Sequence, residues 1–567
     1  MYILGISCYY HDSAAVILKD GVVIAAADEE RFSRKKHDAS FPKLAIEFCL
    51  TKAGITSREL DYVVFYEKPF LKFERMFLST LAHSPKTLSL FKESMKEWFF
   101  DKLWIKSHIL SALDIPSSKL LFSEHHLSHL ASAFFCSSYE KAAVLSIDGV
   151  GEWTTASWGV GNGNNLEIKE EIRFPQSLGL LYSTFTVFAG FEANEGEYKV
   201  MGLAPYGKPR YKDKIRQLLD IKEDGSFQMD LSYFSYHHDL KGVYTQKFLE
   251  LFGQPNQKPD EVQEYYADIA ASIQAVLEDI IIAMTKYIKK RTNLDKLCYA
   301  GGVALNSKAN WLILKKSGFK ELYIQPSAGD SGGALGAALW AYHAVLNNNR
   351  VFTMDSAYYG AGETDAQIKR FLDSSKIPYK KIEGEKLITT VVDAMVKGKV
   401  IGWLQGDFEW GPRALGNRSI LADPRSFEMK HTVNSKIKFR EGFRPFAPSA
   451  ILERSDEFFE VGRLKNHLPF SFMLYVVPVK KEKSKDLAAI THEDGTARPQ
   501  FVRKEVNPLY HRLIEHFGER TGIPVILNTS FNLKGEPIVN TAEEAYSTFK
   551  RSGIDMLVLH NFVITKK

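Results

Sequence analysis

The sequence predicts a two-domain chain of α/β and α+β class, whose N-terminal domain contains one structural unit in duplicate. Two sets of three short strands indicate the duplication, one at the N-terminus and one beginning near residue 142. In each set an Asp lies at the first turn, Asp12 in the first set and Asp148 in the second. The pattern of strands and loops then restarts after residue 347, and about 220 residues suffice for a further domain.

The first set consists of predicted strands over Tyr2 to Ser7, Ser13 to Leu18 and Val22 to Ala27. Asp20-Gly21 separates the last two, and Asp-Gly between apolar runs is a strong hairpin signal. The second set covers Ala142 to Asp148, Thr154 to Gly159 and Leu166 to Ile172, with a glycine-rich turn at 161–163. A repeated three-stranded unit with helices between is how the actin-like, sugar-kinase-like ATPase (ASKHA) fold begins.

Helical spacing predicts the connecting elements. It is present over Phe41 to Ala53, over much of 70–115 and over Tyr265 to Arg291, which is followed by a buried strand at Lys296 to Ala300. An apolar helix at Ala334 to Leu346 closes the first domain, so we expect domains at 1–347 and 348–567. In the second domain, strands are predicted over Val400 to Leu404, Phe470 to Val479 and Pro524 to Leu527.

Composition excludes several classes of protein. The 567 residues are 45% hydrophobic and 25% charged, which indicates ordinary folded cores. The net charge of +5 is too diffuse to argue for a nucleic-acid partner. The four cysteines are scattered, and the chain shows neither a signal-peptide pattern nor an apolar run long enough for a bilayer. We therefore expect a cytoplasmic protein with no membrane association.

A histidine cluster predicts a metal site. His125 and His129 stand four residues apart, which on a helix places both imidazoles on one face. Asp330, in a glycine-lined turn before a helix of small residues, is the expected third ligand, although it could instead be a helix N-cap. Two His and one carboxylate leave coordination positions open and suit Fe(II), Zn or Mn. His126 is not part of this pair.

Glycine turns and a His-Asp pair predict further site residues in the first domain. We expect nucleotide or phosphate contacts at Asp148, Gly149, Gly151, Gly301, Gly302 and Asn306, because glycines admit a phosphate and a helix N-terminus favours anions. Plain tight turns are the alternative. His11 and Asp12 form a plausible base or hydroxyl-positioning pair, with an Asx-type turn as the competing interpretation.

The second domain has a cationic set embedded in apolar, glycine- and proline-rich segments. Its expected anion-binding residues are Arg413, Arg418, Lys438, Arg440, Arg444, Arg498, Asn528, Ser530 and Asn532. Lys438 and Arg440 alternate as on one face of a strand, and with the arginine forks and hydroxyls they could surround polyphosphate oxygens. Solvated surface charge is the alternative, but it usually lies in Lys/Glu helices.

Several motifs together resemble the NodU/CmcH-type O-carbamoyltransferases over essentially the whole chain. They are the segments 11–15, 124–129, 198–204, 411–416 and 494–500. The resemblance implies an N-terminal domain similar to the threonylcarbamoyl-transferring tRNA-modification enzymes, with an H-x-x-x-H iron site. It also implies a C-terminal YrdC-like domain, whose K-x-R and T-S-x-N motifs match Lys438 to Arg440 and Thr529 to Asn532.

The resemblance implies a division of chemistry between the domains. The C-terminal pocket, with Lys438 and Arg440 as catalytic residues, would convert carbamoyl phosphate and ATP, with Mg²⁺, to carbamoyladenylate. The N-terminal domain would then transfer the carbamoyl group to a hydroxyl of a small natural product or sugar. His11 and Asp12 would meet that acceptor. The resemblance also favours a homodimer and iron as the metal.

Three rival functions remain at this stage. They are a small-molecule kinase of the same fold, a fused tRNA-threonylcarbamoylating enzyme and a non-catalytic assembly protein. A kinase needs no H-x-x-x-H site, the tRNA enzyme calls for a more basic surface, and an assembly protein leaves both polar clusters unexplained. Segments 70–115 and 210–260 match no motif, so the acceptor pocket is unassigned; segment 210–260 is expected to be a lid or a surface excursion.

Overall fold

The computed structural model describes residues 1–82, 87, 104–239 and 242–566. The chain divides into two compact units. The N-terminal unit comprises Met1–Ala26 and Ala39–Thr353, and the C-terminal unit comprises Ala27–Asp38 and Met354–Lys567. The division therefore lies a few residues after the expected 347, and segment 27–38, which the sequence analysis placed in the first domain, belongs to the C-terminal unit. The predicted helical region at 70–115 lies partly outside the described residues.

The N-terminal unit contains two five-stranded sheets with the same strand order. The first sheet has the order β3-β2-β1-β4-β5 and is built from β1 (Tyr2–Ser7), β2 (Ala14–Lys19), β3 (Val22–Asp28), β4 (Tyr62–Phe65) and β5 (Leu120–Phe122). The second has the order β12-β11-β6-β7-β8 and is built from β6 (Lys141–Ile147), β7 (Thr154–Asn162), β8 (Asn165–Arg173), β11 (Lys296–Ala300) and β12 (Glu321–Tyr323). In the chain segment between β8 and β11, β9 (Leu219–Ile221) and β10 (Phe227–Met229) form a separate small hairpin.

Strand directions repeat as well as strand order. β1 is antiparallel to β2 and parallel to β4, which is parallel to β5. In the second sheet β6 is antiparallel to β7 and parallel to β11, which is parallel to β12. This repeat confirms the predicted actin-like, sugar-kinase-like class.

Helices connect these strands. In the N-terminal unit they span Lys43–Ala53, Pro69–Ala82, Ile105–Leu113, His125–Phe134, Leu178–Phe188, Glu197–Leu203, Lys212–Arg216, Gln246–Phe252, Glu264–Thr292, Ser307–Lys316 and Ser331–Trp340. The longest matches the expected helix to within one residue at each end. Within the described residues, none of the helices combines the length and apolar character that crossing a membrane requires.

Close packing of two helices positions the polar cluster of this unit. Helix Ser331–Trp340 packs against helix His125–Phe134, and a Cβ at Gly336 would overlap the carbonyl oxygen of Ser128. Only glycine therefore allows the two backbones to approach this closely. The start of one helix, Asp330, is consequently held beside the imidazoles of the other.

The C-terminal unit is built on one mixed sheet of eight strands, in the order β13-β22-β21-β14-β15-β20-β16-β19. Its strands are β13 (Lys380–Lys381), β14 (Ile401–Leu404), β15 (Arg418–Ala422), β16 (Ala447–Ile451), β19 (Gln500–Val502), β20 (Val525–Ser530), β21 (Met556–Leu559) and β22 (Phe562–Thr565); β17 (Val477–Pro478) pairs separately with β18 (Thr496–Ala497). Its helices span Glu30–Ser33, Asp365–Ser374, Gly384–Val396, Phe427–Thr432, Pro508–Thr521 and Ala542–Arg551. Two of them, Gly384–Val396 and Pro508–Thr521, cover one face of the sheet around Trp403.

Two sequence predictions in this unit are wrong. The expected strand from Phe470 to Val479 is a 3₁₀ turn over Leu468–Phe472, a left-handed Met473 with φ of 57°, and only the short strand Val477–Pro478. Nearly all of this run is buried, so it is apolar throughout. It therefore shows no alternation of apolar and polar residues by which a strand could be distinguished from a buried turn. The expected strand at Lys438 and Arg440 is instead the end of a helical turn over Val433–Lys438.

Candidate metal centre and anion pocket

Four donor groups converge in the core of the N-terminal unit. His125 and His129 come from helix His125–Phe134, Asp148 follows β6, and Asp330 precedes helix Ser331–Trp340. One ligand atom from each lies within 4.8 Å of all the others, and all four residues are buried. The two histidine Nε2 atoms are 3.0 Å apart.

The distances between donors suit one metal ion. Asp148 Oδ2 lies 3.2 Å from His125 Nε2 and 3.8 Å from His129 Nε2. Asp330 Oδ1 lies 3.6 Å and 3.5 Å from the same two nitrogens. Ligands about 2.1 Å from a tetrahedral ion are about 3.4 Å from one another. Two imidazoles and two carboxylates thus fit a divalent ion such as Zn, Fe(II) or Mn.

Asp148 is a candidate metal ligand that the sequence analysis assigned to a nucleotide site instead. It was expected to contact a nucleotide, but its Oδ2 faces the histidines and its Oδ1 accepts the N–H of Gly302 at 2.8 Å. Asp330 occupies the N-cap position of helix Ser331–Trp340, but its side chain makes no capping hydrogen bond to that helix. His126 is outside this group, with Nδ1 at 3.0 Å from Ser157 Oγ.

Electrostatics of the cluster favour a cation. Burial lowers the pKa of His129, but hydrogen bonds to Asp148 and Asp330 outweigh burial and raise the pKa to about 9. Burial likewise raises the pKa of Asp148, yet its hydrogen bonds with the histidines hold that pKa well below its usual range. The carboxylates therefore hold a proton on the imidazole of His129, and a divalent ion would displace that proton on binding.

His11 lies at the edge of the same cluster. Its Nδ1 is 2.9 Å from Asp12 Oδ2, and its Nε2 is 3.6 Å from Asp330 Oδ2. Burial lowers the pKa of His11, but Asp330 and Asp12 outweigh it and raise the pKa to about 9. The residue is thus a proton donor at neutral pH rather than a free base. Asp12 has a left-handed backbone, with φ of 52°.

Of the predicted nucleotide-binding residues, Gly302 and Gly151 contact this cluster directly. Gly301 has φ of 91°, and a Cβ there would overlap the carbonyl of Ile147, so the turn requires glycine. Asn306 caps helix Ser307–Lys316 by accepting from Ala309 N–H, and it also exchanges hydrogen bonds with Gln274. Gly149 and Gly151 lie in the turn between β6 and β7, where Gly151 packs against the ring of His125.

Sequence reasoning missed a buried layer behind the histidines. Glu152 accepts the backbone N–H of His125 at 3.0 Å. Glu67 lies 3.9 Å from His125 Nδ1 and is paired at 2.8 Å with Lys72, which is also buried. Glu67 lies two residues after β4 (Tyr62–Phe65), a short apolar run that the sequence analysis did not use, and nothing local connects it to the histidines.

The C-terminal unit contains a second polar site, centred on Lys438. The Lys438 Nζ donates to Ser530 Oγ at 3.1 Å and to Asn532 Oδ1 at 2.5 Å, which joins the two motifs predicted to act together. Phe439 has a left-handed backbone with φ of 48° and turns the chain sharply. The Arg440 guanidinium then donates to Asn434 and lies over the ring of Phe446.

Like charges converge around this lysine. Burial lowers the pKa of Lys438 well below its usual range, and the nearby Arg440 and Arg444 lower it further. Burial also lowers the pKa of Arg498, again reinforced by Arg413, Arg440 and Arg444. Within the described part of the chain Arg498 has no hydrogen bond or ion pair. We call these five cations, Arg413, Lys438, Arg440, Arg444 and Arg498, the cationic pocket.

Two predicted anion ligands have other contacts. Arg418 is fully buried in β15, and its guanidinium donates to the backbone carbonyls of Ala361, Gln405, Gly406, Asn417 and Asn540. Asn528 is buried and donates to Ala414, Ser449 and Gln500. Both residues therefore join neighbouring loops of this unit through these hydrogen bonds, and their role as anion ligands stays a prediction.

The fold and the two sites define an α/β enzyme with a duplicated actin-like, sugar-kinase-like unit and a second α/β unit. The chain belongs to the carbamoyltransferase family. The family model described as "Carbamoyltransferase N-terminus" matches residues 2–339, and the one described as "Carbamoyltransferase C-terminus" matches residues 392–566.

Three proteins with sequences similar to this chain illustrate the family. The uncharacterized protein sll1178 of Synechocystis is 46% identical over 100% of this chain and 97% of its own length. Nodulation protein NolNO of Sinorhizobium fredii is 36% identical over 99% of this chain and 79% of its own. The 3'-hydroxymethylcephem-O-carbamoyltransferase of Amycolatopsis lactamdurans is 34% identical over 46% of this chain and 47% of its own.

Proposed function

We propose that this protein is an ATP-dependent O-carbamoyltransferase that makes carbamoyladenylate in its C-terminal unit and transfers the carbamoyl group in its N-terminal unit. The observation that carries the proposal is the cationic pocket, in which Arg498 is surrounded by like charges. Such an arrangement is costly unless an anion binds there. Carbamoyl phosphate and ATP supply that negative charge, and the similarity to an enzyme named as an O-carbamoyltransferase supports the choice.

The cationic pocket would catalyse the activation step, in which carbamoyladenylate forms. Water attacks the phosphorus of carbamoyl phosphate, the bond from that phosphorus to the carbamate oxygen breaks, and phosphate and carbamate form. A carbamate oxygen then attacks the α-phosphorus of ATP. The bond from the α-phosphorus to the pyrophosphate oxygen breaks, so pyrophosphate leaves and carbamoyladenylate remains. The arginines stabilise charge on the phosphoryl oxygens, and Lys438 and Arg440 contact the reacting groups. The lysine motif with Ser530 and Asn532 makes this pocket YrdC-like.

The transfer step uses the cluster of the N-terminal unit. The acceptor hydroxyl oxygen bonds to the carbamoyl carbon and its proton passes to solvent. The bond from that carbon to the AMP phosphate oxygen breaks, and AMP leaves with the electron pair. A divalent ion held by His125, His129, Asp148 and Asp330 would supply Lewis acidity at the adenylate. Iron is our proposal for that ion, with Zn and Mn as alternatives of the same donor set.

The surrounding residues bind and orient the reactants. The turns at Gly149, Gly151, Gly301 and Gly302 present backbone near the cluster, where the phosphate of the adenylate would bind. His11 would donate to the developing negative charge, and Asp12, 2.9 Å from its Nδ1, orients its ring. A small-molecule hydroxyl compound is the proposed acceptor.

One assay tests the activation step. The purified protein receives ATP, Mg²⁺ and carbamoyl phosphate without acceptor, and products are followed by pyrophosphate release and mass spectrometry of carbamoyl-AMP. We expect both products. Failure of an active, folded preparation to form the adenylate would contradict the proposal. In a parallel reaction with an added hydroxyl compound, formation of ADP and a phosphorylated acceptor would instead establish the kinase alternative.

Two variants test the division between units. His129→Ala should keep adenylate formation and lose transfer, whereas Arg440→Ala should lose adenylate formation. Exposed residues of the same type provide the matched controls, His108→Ala and Arg463→Ala. If both site variants fail at the same step, the assignment of one step to each unit is wrong.

A further inference from the structure

The loop at residues 411–417 carries Arg413, one of the five residues of the cationic pocket. All of its residues are described, and they form bends and irregular backbone between Trp410 and β15. Gly411 and Gly416 have φ of 103° and 110°, so the bends on either side of Arg413 favour glycine. Because such a loop forms no helix or strand, the partners of its backbone groups must come from elsewhere.

One buried carboxylate binds the second half of this loop. The Oε1 atom of Glu409 accepts the N–H of Leu415 at 2.7 Å and that of Asn417 at 2.8 Å. It also accepts the N–H of Arg418, at 3.2 Å. Glu409 is only 2% exposed. Hydrogen bonds to an ionised acceptor are stronger than neutral ones, so this carboxylate holds the backbone from 415 to 418 in one conformation.

Side chains from two other segments hold the carbonyl groups of the loop. The buried Arg31 guanidinium, from segment 27–38, donates to the carbonyl of Gly411 at 3.0 Å. The indole Nε1 of Trp403, on β14, donates to the carbonyl of Gly416 at 2.9 Å. The loop backbone is therefore held on both sides of Arg413.

Arg413 lies among like charges, so its position depends on the loop that carries it. Burial lowers the pKa of Arg498, and Arg413 lowers it further. Two guanidinium groups close enough for that effect repel each other until an anion binds. The hydrogen bonds that Glu409 accepts oppose this repulsion, because they keep the loop in place.

We propose that Glu409 is a positioning residue of the cationic pocket, whose carboxylate fixes the loop so that Arg413 and Arg498 bind the same anion. Glu409 itself does not contact that anion. The claim that the anion is carbamoyl phosphate or ATP rests on the proposed function, whereas the claim of anion binding through Arg413 rests on the pocket alone. The alternative is that Glu409 only stabilises the folded unit.

A double-mutant cycle distinguishes the two roles. Pyrophosphate, a stable polyanion, is the probe, and its affinity for the full chain is measured by calorimetry without ATP. Arg413→Met should weaken binding roughly tenfold, because charge-assisted hydrogen bonds to the anion are lost. Glu409→Ala should weaken binding roughly fivefold when Arg413 is present, but by less than about twofold in the Arg413→Met background.

Two results would overturn the proposal. An equal effect of Glu409→Ala in both backgrounds would show that Glu409 does not act through Arg413. Failure of the unmodified protein to bind pyrophosphate would show that the pocket is not an anion site.

Glu409→Gln keeps the test decisive if Glu409→Ala does not fold. The amide retains an oxygen acceptor for the loop N–H groups and nearly the same volume, but it lacks the negative charge. We expect pyrophosphate to bind roughly threefold more weakly than to the unmodified protein, and only when Arg413 is present. An unchanged affinity, or a fall of equal size in both backgrounds, contradicts the proposal.

Asp423→Asn is the matched control. Asp423 is a buried carboxylate of the same unit that accepts the backbone N–H of Arg425 at 2.9 Å, and it lies outside the loop. Its change should lower the free energy of unfolding and leave pyrophosphate affinity unchanged. A comparable loss of affinity in Asp423→Asn would mean that any destabilisation weakens the pocket, which would remove the special role of Glu409.

The acceptor-free adenylate assay separates this inference from the proposed function. If carbamoyl-AMP forms but the effects in the cycle are additive, the inference fails and the proposed function stands. If the cycle shows coupling but no adenylate forms, the proposed function fails and Glu409 remains the positioning residue of a polyanion site. A raised KM for carbamoyl phosphate in Glu409→Gln, with kcat of adenylate formation changed by less than about twofold, supports both.

Discussion

The backbone N–H of Gly302 donates a 2.8 Å hydrogen bond to Oδ1 of Asp148, whose other oxygen lies 3.2 Å from Nε2 of His125. One carboxylate therefore joins a glycine turn to the histidine pair. The sequence predicts these two features separately, as a nucleotide-binding turn and a metal site. In the folded protein they share a residue, so a nucleotide phosphate at the turn would lie beside the ion.

Asp148→Asn tests the fourth ligand. We expect metal affinity to fall by at least tenfold, because an amide cannot supply the negative charge that balances a divalent ion. Metal content after reconstitution with Fe(II) or Zn(II) and dialysis is measured by mass spectrometry. Asp220→Asn, an exposed carboxylate of β9, is the control. Unchanged affinity in Asp148→Asn would remove this residue from the site.

Gly336→Ala tests how helix packing positions the ligands. The added methyl group would overlap the Ser128 carbonyl and push helix Ser331–Trp340 away from helix His125–Phe134. We expect a loss of about 1–3 kcal/mol in the free energy of unfolding together with weaker metal binding. Gly442→Ala is the control, since a Cβ there meets nothing within 4 Å. Normal metal binding in a destabilised Gly336→Ala would contradict the positioning role.

The buried pair of Glu67 and Lys72 predicts non-additive stability effects. Their side chains are 3% and 10% exposed, so Glu67→Leu leaves a buried ammonium unpaired. We expect this change to cost about 3–5 kcal/mol, and Glu67→Leu with Lys72→Met to recover much of the loss. Urea unfolding with a chelator present keeps metal effects out of the comparison. A double variant as unstable as Glu67→Leu alone would show that the pair has no such coupling.

Arg498→Met tests the electrostatic cost of the cationic pocket. Relief of like-charge repulsion should raise the free energy of unfolding by roughly 1 kcal/mol in buffer without phosphate. The same change should abolish the stabilisation that carbamoyl phosphate gives to the unmodified protein, because the anion loses a guanidinium. Thermal unfolding with and without carbamoyl phosphate measures both effects, with Arg463→Met as an exposed control. Destabilisation of the anion-free protein by Arg498→Met would argue against this account.

Elements with a strong local pattern were predicted well from the sequence. Asp20-Gly21 joins β2 and β3 as a hairpin, and the buried strand at Lys296–Ala300 has the expected bounds. The run from Phe470 to Val479 failed because continuous burial removes the alternation that identifies a strand. The strand predicted at Lys438 and Arg440 is wrong because Phe439, between them, has a left-handed backbone. Phenylalanine rarely adopts that conformation, so the sequence contains no sign of it.

For the candidate metal site, the sequence by itself determined the chemical types of the ligand groups and the proximity of one pair of them. Four-residue spacing on a helix places His125 beside His129 wherever that helix packs. Only the tertiary structure decided that Asp148 joins Asp330 at these histidines. It also decided that the Arg418 guanidinium donates to backbone carbonyls and that segment 27–38 belongs to the C-terminal unit. The reason is physical. Periodicity and turn chemistry act over a few residues, whereas the meeting of distant side chains depends on how closely helices and sheets pack. The close backbone approach at Gly336 is one example.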